Sequence, residues 1–310
     1  MPYGRYRRSS YRRYGRSRYA PRSYVRRPYY GVRRPFYSRR RYRPVSRSIL
    51  NVSSVKKKDN MLAVTNVLGT ARPSVQPFQD GAASLVGSTA GRGSPYVFIW
   101  NATARDHEDD STKYDEAART SSAPYMVGLK ERILVQTSDA NPWQWRRICF
   151  TAKGLNSSFL TAGAGANENN PFYEDSTGFR REVAEPGSAG LTNIRNIIFD
   201  GAYGIDWNDP FSAKTDNQRI KVRYDKTRMI RSTNNVGVIR YYNMWHPMKK
   251  TLMYNDDENG ASMDSAYVAQ MGDMGMGDYF VLDFIRCIDA PSGTPGLIFQ
   301  PEATLYWHER

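Results

Sequence analysis

An all-β body is what this sequence predicts: a single eight-stranded jelly-roll sandwich with long loops, preceded by a disordered N-terminal arm rich in arginine and tyrosine. Three observations carry the expectation. Short β-branched and aromatic runs recur between turn-rich stretches, long helical periodicity is absent, and charge is divided unevenly along the chain. Of 310 residues, 45 are Lys or Arg and 30 are Asp or Glu, a net charge of +15. Residues 1–58 hold 17 Arg and three Lys with no acid, so +20. The other 25 basic residues face all 30 acids, leaving 59–310 at −5. The expected division is therefore a basic arm, 1–58, and a mildly acidic sandwich, 59–310.

The arm comes first in the chain. Its cations up to residue 47 are all arginines: Arg5, Arg7, Arg8, Arg12, Arg13, Arg16, Arg18, Arg22, Arg26, Arg27, Arg33, Arg34, Arg39, Arg40, Arg41, Arg43 and Arg47. Ten tyrosines lie among them, Tyr11, Tyr14, Tyr29, Tyr30 and Tyr37 included, and five prolines interrupt any helix. Like charges this dense oppose compaction, so the free arm is expected to be disordered and to order only against a partner. Guanidinium forks bind phosphate oxygens two at a time and stack on bases, and tyrosine rings add stacking platforms. Interleaved Arg and Tyr therefore suits a single-stranded nucleic acid, whereas a duplex leaves the rings unused. The plainer reading is a solvated tail that serves only nuclear import, since Arg39, Arg40, Arg41 and Arg43 also suit an import receptor. Lys56, Lys57 and Lys58 close the basic region and join the candidate nucleic-acid-binding set.

The body reads as strands near 61–68, 96–102, 126–137, 146–153, 194–199, 219–230, 236–244, 279–288 and 297–307, with short helices at 113–119 and 262–271. Alternation is clearest at 219–224, where period 2 sets Arg219, Lys221 and Arg223 on one face and Ile220, Val222 and Tyr224 on the other. Those three cations are a candidate inner face for nucleic acid, weighed evenly against an ordinary solvent face. Connections at 69–95, 103–124, 154–193, 201–218 and 247–277 are long, which a jelly roll tolerates at its ends unless strands lie within them.

Motifs for catalysis fail one by one. Three Lys-Thr pairs are preceded by Ala213, Asp225 and Lys249 rather than glycine, so no phosphate-binding loop forms. Gly91-Arg92-Gly93 and Gly163-Ala164-Gly165 read as loops without a strand-to-helix setting. His107, His246 and His308 have no metal-ligand spacing. The run Asp106, His107, Glu108, Asp109, Asp110 lacks the order of an EF-hand and reads as a solvated loop, while Asp256, Asp257 and Glu258 suit either solvent or a subunit contact. Trp143 and Trp145 beside Arg146 and Arg147 read as packing rather than base stacking. The stretch 271–277, alternating Met and Gly, reads as an adaptable loop. Cys149 and Cys287 are expected to be buried thiols, too few for a disulfide scaffold or a four-cysteine zinc module. No catalytic residue, metal or cofactor is expected, and neither a transmembrane span nor a secretion signal is supported.

The opening MPYGRYRRSSYRRYGRSRY, joined through VKKKDNMLAV to a β-rich body ending GLIFQPEATLYWHER, resembles the coat proteins of genomoviruses, the gemycircularvirus-like group. The likeness spans the whole chain and rests on layout and length more than on a diagnostic motif. Circovirus and geminivirus coats share the arginine-rich start, but the former usually begin more densely basic and this chain lacks the Cys/His cluster often noted in the latter. The resemblance implies one jelly roll, assembly of identical subunits into a T=1 icosahedral shell, and packaging of a circular single-stranded DNA genome after nuclear entry. Its expected partners are that genome, identical subunits and a nuclear import receptor, with no membrane; its expected locations are the virion and the host nucleus. The alternatives are an RNA-binding protein with an arginine-rich tail, cellular or from an RNA virus, and more remotely a sandwich-fold hydrolase.

Overall fold

The computed structural model describes residues 52–69, 77–87, 94–107, 115–155, 170–260, 262–288 and 295–310, all within the chain's second unit, Ser46–Arg310. The arm residues up to Arg47 and the glycine runs 91–93 and 163–165 lie outside the described residues.

Eight strands form the sandwich: β1 (Val55–Met61), β2 (Tyr96–Asn101), β3 (Tyr125–Thr137), β4 (Trp143–Ala152), β5 (Lys221–Ile230), β6 (Ile239–Thr251), β7 (Asp278–Cys287) and β8 (Gly296–Glu309). One sheet has the order β1-β8-β3-β6 and the other β5-β4-β7-β2. Pairing is nested: β1 with β8, β2 with β7, β3 with β6 and β4 with β5, every pair antiparallel. A single long hairpin is thus rolled up, and the pairs β8–β3 and β7–β4 knit each sheet together. That connectivity is the jelly roll. A short strand, Ala83–Val86, also pairs with the start of β8.

Burial patterns explain why each sheet forms. β3 and β8 alternate, with Leu129, Ile133, Val135, Leu297, Phe299 and Leu305 inward. β2 and β7 are buried almost throughout, because their outer residues are covered as well. The cover is α1 (Ser188–Ile198), whose Ile194 and Ile198 pack with Phe199 and Trp207 on Ile148, Phe150, Phe280, Leu282 and Phe284.

Six of the expected strand runs coincide with β2 to β5, β7 and β8 to within about three residues, and the run 236–244 finds β6 but stops seven residues short of its end at Thr251. The strand expected at 194–199 is instead the last turn of α1. Its apolar run Ile197-Ile198-Phe199 looks extended in isolation, but Leu191, Ile194 and Ile198 follow helical spacing and face one sheet. The helix expected at 262–271 is instead the second strand of a hairpin, Asp257–Asn259 with Ser262–Asp264, followed by bends and a bridge from Ala269 to Tyr254. At 113–119, the described residues 115–119 form bends and a bridge rather than a helix. The first expected strand, 61–68, sits earlier as β1 and a separate Ala63–Thr65. Secondary structure also occupies the long connections, including Gly178–Val183, which runs parallel to Ala63–Thr65.

Gly178–Val183 contacts β1, β2 and β8 and sends Arg181 into the interior. There Arg147 makes a two-pronged contact with Asp283 (2.7 and 2.8 Å) and reaches Glu131 at 2.6 Å, while Arg181 lies 3.1 Å from Glu131 and 3.4 Å from Asp283. Trp145 Nε1 also donates to Asp283. All four charged side chains are at most 1 % exposed. Burial by itself raises a carboxyl's pKa, but Arg147 and Arg181 hold Glu131 well below the usual carboxylate range. Two guanidiniums and two carboxylates balance, so four buried charges cross-link β3, β4, β7 and Gly178–Val183.

Candidate nucleic-acid interface

The candidate residues within the described region fall into two groups, on β1 and around β5. On β1, alternation divides the three lysines. Lys56 and Lys58 point outward and are exposed; Lys57 points inward at 2 % exposure. Its Nζ donates to Ala118 O (2.7 Å) and Thr120 Oγ1 (3.1 Å) and pairs with Glu309 at 3.2 Å. The expectation that Lys57 contacts nucleic acid is therefore corrected: a period-2 strand turns the middle of three consecutive residues to the core. Lys58 makes an exposed pair with Glu116 at 3.4 Å, a contact of little energetic weight. Lys56 lies close enough to His308 to help burial lower the imidazole's pKa.

Around β5 the expected two-faced strand is interrupted. A bulge between Val222 and Tyr224 turns Val222 toward α1 and Tyr224 toward the sandwich interior, so Ile220, Val222 and Tyr224 do not share one face. Arg219 precedes the strand, donates to Asn196 O and pairs with Asp216 at 3.3 Å. Lys221 and Arg223 are exposed. A cavity of about 770 Å³ beside them is lined by Thr151, Lys153, Thr215, Arg219 and Lys221. Two of its three cations are already engaged, since Lys153 Nζ donates to the carbonyls of Gly272 and Met274.

The remaining aromatic and charged candidates are structural. Trp143, Trp145 and Arg147 are fully buried, and Arg146 pairs with Asp225 at 2.6 Å while donating to Pro210 O and Ala213 O. Asp256 forms a two-pronged contact with Arg119 (2.6 and 3.0 Å), whose guanidinium lies 3.9 Å from the Tyr254 ring centroid; Asp257 and Glu258 stay exposed. Asp106 Oδ1 accepts from the His107 amide and from Ser265, while Glu108, Asp109 and Asp110 lie outside the described residues. Cys149 and Cys287 are buried and unbridged. Among the described residues no group of three or more His, Cys, Asp or Glu side chains is arranged to hold a metal ion, and no helix is long and apolar enough to cross a membrane.

Sequence reasoning missed Asp278. Burial pushes its carboxyl up to about 7, although Ala269 N–H (3.1 Å) and neighbouring side chains donate to it. Nothing in the string DMGMGDYF marks one acid as buried and the other as exposed.

No protein-family model and no curated protein matches the chain. Among solved structures, VP1 of Trichodysplasia spinulosa-associated polyomavirus aligns over 83 % of this chain and 93 % of its own, at 7 % identity and a TM-score of 0.13. The same VP1 in complex with 3'-sialyllactose gives 7 % identity, 83 % and 94 % coverage, and 0.13. Its complex with GM1 oligosaccharide gives 8 %, 83 % and 76 %, and 0.09. Likeness at these scores carries no argument, and the fold assignment rests on the strand order alone.

Proposed function

We propose that the chain is a non-enzymatic viral capsid protein, of the genomovirus kind, whose jelly-roll body assembles into a small closed shell and whose arm condenses single-stranded DNA inside it. The observation that carries the reading is the joining of an arginine-rich segment, residues 1–47 at +17, to a jelly-roll body that starts at Val55. Fold alone assigns no function, but jelly rolls are a recurrent shell-building unit and the charge is concentrated at one end of the chain. In mechanism, release of counterions from phosphates drives arm binding and tyrosine stacking adds affinity that tolerates any sequence. About 60 copies in the smallest icosahedral shell would bring roughly 1,000 positive charges from residues 1–47, enough to offset a genome of about a kilobase. The same arginines serve an import receptor, which takes the protein to the nucleus before assembly.

The test is light scattering on a sizing column with absorbance read at two ultraviolet wavelengths. A megadalton-scale peak rich in nucleic acid is expected. A small species that stays free of nucleic acid when it is supplied would overturn the reading and favour a monomeric tailed module. Deleting residues 1–47 is expected to abolish protection of DNA from nuclease while leaving the body folded.

A further inference from the structure

Among the described residues no segment packs over the outer face of the sheet β1-β8-β3-β6, and that face is organised. Register places Trp245 beside Lys130, Lys130 opposite Thr304, and Tyr306 opposite both Gly128 and Lys58. Gly128 has a reason to be glycine: a Cβ there would stand 2.7 Å from Cζ2 of Trp245. The missing side chain lets the indole lie across the strand, with the Tyr306 ring centroid 5.9 Å away. Trp245 keeps 48 % of its surface exposed, whereas each of the other five tryptophans is at 9 % or less. Nearby, Tyr241 is 56 % exposed and has the Arg132 guanidinium 4.9 Å from its ring centroid. The outward positions of the four strands carry Lys56, Lys58, Lys130 and Arg132 against one carboxylate of these strands, Glu302, opposite Arg132, and Lys58 also pairs at the surface with Glu116.

We propose that this face is a second binding surface for single-stranded nucleic acid, with Trp245, Tyr306 and Tyr241 as stacking platforms and Lys58, Lys130 and Arg132 as phosphate contacts. The inference rests on the packaging function proposed above. Charge selects the occupant. Residues 1–47, at +17, and the same face of a second copy are both repelled, while a polyanion with exposed bases meets cations and rings together. A duplex hides its bases and leaves the rings unused. In sequence, the edge strand β1 of this sheet follows the arginine-rich segment that ends at Arg47.

The experiment uses the full-length protein, irradiated with short-wave ultraviolet light in the presence of oligothymidylate, oligouridylate or a duplex of equal length. Adduct sites are mapped by mass spectrometry, and binding is followed separately by anisotropy of a labelled strand. Adducts at Trp245 or Tyr306 with both single strands, and none with the duplex, are expected; adducts with one single strand only would assign the face to DNA or to RNA. Single strands should also quench the exposed-tryptophan emission, an effect that Trp245→Phe removes. Lys130→Glu with Arg132→Glu, which alters no core residue, should cut the adduct yield roughly fivefold or more with an unchanged thermal midpoint. Adducts confined to residues 1–51 while anisotropy reports full binding would overturn this inference and leave packaging intact. Absence of binding to either single strand would overturn both.

Discussion

The two sheets of the sandwich share one interior but differ in what lies behind them. In β5-β4-β7-β2 the outer residues Phe150, Phe280, Leu282 and Phe284 are sealed by α1 and the segment that follows it, so both faces of β4, β7 and β2 work as core, while the edge strand β5 stays largely exposed. In β1-β8-β3-β6 the outer residues meet solvent, and the same backbone carries lysine, arginine and exposed aromatic rings. The difference teaches where substitution is constrained: one sheet is held by packing on two sides, and the other has a face whose chemistry is free to serve binding.

Damage to the covered sheet should have the largest effect. Phe280→Ala, which removes a ring stacked 5.3 Å from Phe150, should cost about 3–5 kcal/mol by denaturant unfolding. Arg147→Met, which leaves Asp283 and Glu131 with Arg181 as their one remaining shared guanidinium, should cost a similar ~3–5 kcal/mol. A small loss in either variant would mean that the interior repacks and that burial on two faces is not what stabilises this sheet.

On β1 the contrast can be drawn between adjacent residues. Lys57→Ala leaves a buried Glu309 with fewer donors and should lower stability by about 1–3 kcal/mol, whereas Lys56→Ala and Lys58→Ala should stay within about 0.5 kcal/mol. Thermal melts of the three variants decide it, and equal losses would contradict the assigned strand facing. Asp278 adds a pH dependence to the covered sheet. Its folded pKa of about 7 lies above the unfolded value near 3.8, so the folded state holds the extra proton between them. Its contribution is fully present below about pH 4 and falls away as pH rises through about 7. Asp278→Asn should flatten that slope in urea midpoints measured across this window. The smallest effect is expected on the open face: Trp245→Phe should leave stability within about 0.5 kcal/mol.

Much of the fold was legible because alternation is a local property. β3 and β8 announce themselves by alternation, through Ile133 and Val135 and through Leu297 to Trp307, and β7 by its short continuous apolar run from Phe280 to Ile285. α1 was not legible, since a short apolar stretch fits strand and helix alike until the surface it covers is known. The bulge in β5 was equally silent, because one extra residue reverses the facing of everything after it without changing the composition. Of the candidate interface, Lys56 and Lys58 could be read from residue type, while the platform of Trp245 over Gly128 could not. Those two residues are 117 positions apart in the chain and meet only through the β3–β6 register.

By itself, then, the sequence determined the separation of a +20 segment from a −5 body and the succession of strands, because charge and period-2 patterning are written in neighbouring residues. Tertiary structure alone decided which sheet is covered, which lysine of β1 is buried and which tryptophan stays in water. Each depends on a segment arriving from a distant part of the chain, and burial belongs to the assembled surface rather than to any local run of residues.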